Sequence, residues 1–158
     1  MLLGFIAGAL AVVTVHQAVV FIFGNMGLAR GTAWSFETTG PYGLWLGTPG
    51  EISWRVPRLV NLMFWGGVWG SVYALVERKL PGRAAWMRGL VLAVLMVVFA
   101  NWMAIPFLKN TLFGAKLEYF GGLVVQRMLV SLAINASFGV ALGILYDWMS
   151  RKRPVGSR

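Results

Sequence analysis

Four apolar runs of about 18 to 26 residues, at positions 2–24, 59–76, 86–108 and 123–148, are separated by segments that hold nearly all of the charge. Inside a bilayer every backbone N–H and C=O must be satisfied within the protein, so runs of this length fold as helices. About 20 residues cover the roughly 30 Å hydrocarbon core, and the spacing therefore predicts four crossings. The fold class expected is all-α, a polytopic membrane protein with four transmembrane helices in one bundle. It fills residues 1–158 as a single integral membrane domain and leaves no room for a separate soluble one. Composition agrees: 58% of residues are hydrophobic and 12% charged, against roughly a quarter charged in soluble domains. The first run ends near Gly27-Leu28-Ala29, which has the small residues of a signal-cleavage site. No basic residue precedes it, however, and it is longer than the 7–15 residues of a signal core, so it is read as a retained helix.

The 14 basic residues outnumber five acids for a net charge of +9, but they lie between the apolar runs and act as topology signals, not as a nucleic-acid surface. Arg78, Lys79, Arg83, Arg88, Arg151, Lys152, Arg153 and Arg158 fall on the side of the termini, tightly clustered. Arg30, Arg55, Arg58, Lys109, Lys116 and Arg127 fall on the other, three of them in a long loop shared with Glu37 and Glu51. The bias predicts the orientation N-in and C-in, and the location expected is a bacterial inner (plasma) membrane. The outer loop, 29–57, carries Trp34, Phe36, Tyr42, Trp45 and Trp54, a set of aromatics suited to lying on the membrane surface at headgroup level.

Three small-xxx-small pairs, Gly4/Gly8, Gly66/Gly70 and Gly139/Gly143, predict faces where helix backbones approach closely, within one chain or between copies. His16, Gln17, Asn101 and Asn135 form the expected intramembrane polar layer. At 1.5 Å per residue, His16 and Asn101 lie roughly 20 and 18 Å from the inner face and Asn135 about 10 Å below the outer one. Such residues either bond helices to each other or serve function. Asp147 and Arg151, four apart, predict an ion pair at the inner end of the fourth helix. Arg127 reads as an interfacial anchor satisfied by Glu118 or lipid phosphate.

The chemistry that is missing is equally informative. Without cysteine there is no disulfide, thiolate metal site or thiol redox chemistry, which removes the small quinone-linked disulfide-forming enzymes. One histidine cannot make a bis-histidine haem, and no carboxylate lies at its depth to complete a metal site. The first helix lacks the acidic residue on which small multidrug exporters couple transport, and no phosphate loop, Ser-His-Asp set or HExxH is present. The expectation is no enzyme, no cofactor and no metal. No internal repeat is visible, since the two halves do not align residue by residue.

Tyr73-Ala74-Leu75-Val76-Glu77, the basic Lys79-Leu80-Pro81 turn, Trp86 with Gly89, Asn101 and Pro106 follow one another across roughly a third of the chain. In these residues it resembles the YagU-type bacterial inner-membrane proteins. The resemblance implies an inner-membrane location and no established activity, and Asn101 stands where that family carries histidine. The function expected first is a non-enzymatic structural, accessory or partner-binding membrane subunit, its partners the lipid bilayer and a membrane protein or a second copy. The alternatives are a small transporter or channel using the polar layer, and a cofactor-holding subunit of an energy-converting complex with His16 as ligand.

Overall fold

The computed structural model of the chain describes residues 1–29, 33–36, 57–114 and 116–151. They form four helices that alternate in direction: α1 (Leu2–Asn25), α2 (Arg58–Lys79), α3 (Ala85–Leu112) and α4 (Val125–Arg151), each long and apolar enough to cross a bilayer. No strand occurs among the described residues. Met1, the α2–α3 turn and Arg151 share one end, called here the near end. The α1–α2 and α3–α4 connections share the far end.

Sequence chemistry sets the helix ends. The Leu80-Pro81-Gly82 turn stops the near end of α2, with Gly82 at φ 128° where a side chain would be strained. At the far end Gly114, left-handed at φ 60°, caps the α3 helix. Both ends of the Asn110 side-chain amide then close the α3–α4 connection on Leu117, the oxygen accepting from its N–H at 2.6 Å and the NH2 donating to its carbonyl at 2.9 Å. Helix α4 starts two residues later than predicted, while the C-terminal ends lie one to four residues beyond the predicted ones, most of all in α3, which runs through Pro106 to Leu112. The widened π-helical stretch Met96–Ala104 just before Pro106 explains this. It already departs from i→i−4 pairing, so a residue with no N–H to donate is absorbed there without ending the helix.

Glycine builds two hairpins. A Cβ on Gly8 would collide with the carbonyl oxygen of Gly66, and one on Gly4 with that of Gly70. In the second hairpin a Cβ on Gly89 would strike the Gly139 carbonyl and one on Gly143 the Ala85 carbonyl. All three predicted glycine pairs are thus consumed inside the chain, and Gly89 joins them. The arrangement also overturns the absence of a repeat. Gly4, Gly8, Val12 and His16 match Gly89, Ala93, Val97 and Asn101, each on the first helix of a hairpin. Gly66, Gly70, Tyr73, Arg78, Lys79 and Pro81 match Gly139, Gly143, Tyr146, Arg151, Lys152 and Pro154 on and after the second. A π-helical turn falls at Val12–His16 and again at Met96–Ala104. The two halves share one pattern.

The hairpins pack mainly through α1 and α4, around a core of Ala7, Ala11, Val12, Tyr73, Leu92, Met96, Val97, Phe138, Ala141 and Leu142. The matched tyrosines Tyr73 and Tyr146 meet edge to face, ring centroids 5.5 Å apart. Helices α2 and α3 touch at the near end, where Tyr73 Oη donates to the Ala85 carbonyl at 3.1 Å and Arg88 pairs with Glu77 at 3.6 Å. The predicted Asp147–Arg151 pair is also there, at 2.9 Å.

Candidate functional site

The polar residues of the predicted layer gather between the helices, but apart from the Gln17–His16 contact between chain neighbours they do not bond one another. His16 from α1, Asn101 from α3 and Asn135 and Phe138 from α4 line an open cavity of about 260 Å³, with Trp65 and Trp69 on its α2 side. Asn135 donates to the Ser131 carbonyl of its own helix at 2.8 Å, and Asn101 has no hydrogen bond among the described residues. Among these residues the layer does not fasten helix to helix; it makes a hollow polar.

Gln17, almost fully buried, orders the histidine. The backbone N–H of Trp34 donates to Gln17 Oε1 at 2.8 Å, which fixes the amide with its NH2 facing His16 Nδ1 at 3.2 Å. An amide NH2 only donates, so Nδ1 accepts and the ring proton resides on Nε2. The Nε2–H is therefore the donor that this ring offers to the hollows it lines. Phe138 stands edge-on to the imidazole with centroids 6.5 Å apart.

Trp34 corrects the expectation of a loop lying flat on the surface. Its indole N–H donates to the Val13 carbonyl at 2.7 Å and its ring lies against Phe21. This carries the chain back along α1 to Gln17, about 12 Å below the end of the helix at 1.5 Å per residue. The reason is local: Val13 lies in the widened turn, where regular pairing lapses and a carbonyl accepts an outside donor. Tyr42, Trp45 and Trp54, with most of the 29–57 loop, lie outside the described residues, as does the tail from Lys152.

A second hollow of about 480 Å³ opens at the far end between α1, α2 and α4. Arg58 and Arg127 stand on its wall, Ser131 below them, and His16 and Asn135 line it as they line the first cavity. Arg127 pairs with Glu118 at 3.3 Å, both side chains more than half exposed, so the pair is weak and most of the guanidinium's five donors stay available. Arg58 has no carboxylate partner among the described residues. The sequence offered Arg127, but Arg58 only as a topology charge and Ser131 not at all. Their signal was position: Arg58 opens α2, and Ser131 lies one turn from Arg127 and one from Asn135.

This geometry sets two guanidinium groups at the mouth of the hollow and imidazole and amide groups below them. Among the described residues no group of three or more histidines or carboxylates is placed to hold a metal ion. No family model matches the chain, and neither the curated proteins nor the solved structures provide a similar one.

Replacing His16 separates positioning from packing. His16→Gln should melt like the parent, because its Oε1 can still accept from the Gln17 amide. His16→Leu strands that buried amide and should lose about 1–3 kcal/mol. Thermal unfolding in detergent measures both, and identical melting of the two variants would contradict the Gln17–His16 bond.

Proposed function

We propose that this is a non-enzymatic integral membrane protein of the transporter class, which receives an anionic compound in the vestibule under Arg58 and Arg127 and hands it to the His16/Asn101/Asn135 cavity. The observation that carries this reading is that His16 and Asn135 line both hollows, joining a cationic mouth to a polar interior. Charged and polar groups at membrane depth are costly and mark pathways. Glycine faces, which with the aromatic outer loop were the motive for a partner-binding subunit, are spent within the hairpins, which favours transport over that role. The near half is tightly packed at its glycines and at the Tyr73–Tyr146 contact, which favours a transporter that repacks its hairpins over an open pore.

In this reading the near end faces the cytoplasm of a bacterium and the far end the outside, following the basic clusters around Arg83 and Arg151 and in keeping with the YagU-like stretch. The test uses the full chain in liposomes with two anionic probes, inorganic phosphate and a headgroup-labelled phosphatidylglycerol. Movement of at least one across the membrane, above protein-free vesicles, is expected. Movement of neither would remove the proposal.

A further inference from the structure

A third hollow, about 470 Å³, lies on the outer flank of α1 and α4 beside the vestibule. Phe23, Leu28, Val125, Leu129, Val130 and Ala133 line it, with Gln126 its one polar side chain. It shares Leu28 and Val130 with the vestibule, so the two hollows meet along one wall. Helix periodicity explains the division. At 3.6 residues per turn, Arg127, Ser131 and Asn135 fall on one flank of Val130, while Val125, Leu129 and Ala133 fall on the other. The far half of α4 thus carries a polar stripe and an apolar stripe side by side, and Val125 and Leu129 are both more than half exposed.

We infer that the joined hollows take one anionic lipid from the outer leaflet, its phosphate between Arg58 and Arg127 and an acyl chain along Phe23, Leu129 and Ala133. The inference rests on the vestibule being an anion site and names the class of its ligand. A free oxyanion would use the arginines alone and make no use of the apolar hollow that adjoins them. A lipid uses both, because the guanidinium fork matches a phosphodiester while the chain covers apolar wall that faces hydrocarbon. Serine and asparagine below the arginines supply further donors and acceptors to a polar headgroup.

The experiment is native mass spectrometry of the full chain, delipidated in neutral detergent, with phosphatidylglycerol, phosphatidylcholine and glycerol 3-phosphate as probes. One phosphatidylglycerol should be retained in preference to phosphatidylcholine by about tenfold, because the choline cation of the second lipid would sit beside the same two guanidinium charges. Arg58→Gln with Arg127→Gln should remove that preference. Ala133→Phe, at an exposed position that leaves the core untouched, should lower phosphatidylglycerol retention to a similar degree. Equal retention of the two lipids overturns the inference, and so does retention that survives Ala133→Phe. If glycerol 3-phosphate binds as tightly as phosphatidylglycerol, the ligand is a soluble oxyanion: the lipid assignment falls while the anion site stands. If neither phosphatidylglycerol nor glycerol 3-phosphate responds to loss of the arginines, the anion site falls as well.

Discussion

Gly8→Leu or Gly89→Leu should leave little folded protein in detergent, and what folds should melt far below the parent. A Cβ at Gly8 would land on the carbonyl oxygen of Gly66 with the Cα of Gly70 3.1 Å away, and one at Gly89 on the Gly139 carbonyl with the Gly143 nitrogen 3.1 Å away. These obstacles are backbone, which yields only if the helices separate. Overpacking costs about 1–3 kcal/mol where side chains can adjust and more where they cannot. A loss of about 3 kcal/mol in a chain of this size corresponds to a fall in Tm of roughly 6–12 °C. Gly67 is the control, because a Cβ there meets the Phe5 ring at 2.6 to 2.7 Å, an obstacle that can rotate away. Gly67→Ala should cost less than Gly8→Ala, and equal melting of those two would contradict backbone-on-backbone packing.

Neutralising both arginines of the vestibule should reduce anion passage into or through liposomes by tenfold or more, about 1.4 kcal/mol at the least. Arg58→Gln and Arg127→Gln each keep a side chain of similar reach while removing the charge. Melting should hardly change, since Arg127 gives up only an exposed ion pair with Glu118, worth about 0–1 kcal/mol. Each single variant should fall between the parent and the double. Parent-level flux in the double variant, with the melting profile intact, would show that the arginines anchor the protein in headgroups and nothing more.

Helix number and type were legible in the sequence because apolar runs long enough to span hydrocarbon favour one solution, an internally bonded helical backbone under apolar side chains. Small residues four apart announced the hairpins for the same reason, and Asp147–Arg151 followed from helix pitch alone. The repeat stayed hidden because its spacing is uneven. His16 precedes Gly66 by 50 positions, whereas Asn101 precedes Gly139 by 38, so no constant offset aligns both helices of the two halves. Gly89 was missed as a packing residue because its partner four positions on is Ala93, not glycine. The polar layer was legible as residues but not as a role: depth placed His16, Asn101 and Asn135 together, while which bonds they make depends on rotation about each helix. Trp34 could not be foreseen inside the bundle's flank, since the acceptor that draws it there is a backbone carbonyl exposed by a π-turn, invisible in residue identity.

The chain has no cysteine, so a single introduced thiol reports its surroundings without background. Ser131→Cys, in the vestibule wall, is the position that tests the account most directly, with Arg83→Cys at the near end and Ala141→Cys in the packed core as references. A membrane-impermeant thiol reagent added to intact cells should modify Ser131→Cys, reach Arg83→Cys only after the cells are opened, and leave Ala141→Cys unmodified. An unreactive Ser131→Cys beside an Arg83→Cys that reacts in intact cells would contradict both the outward vestibule and the orientation.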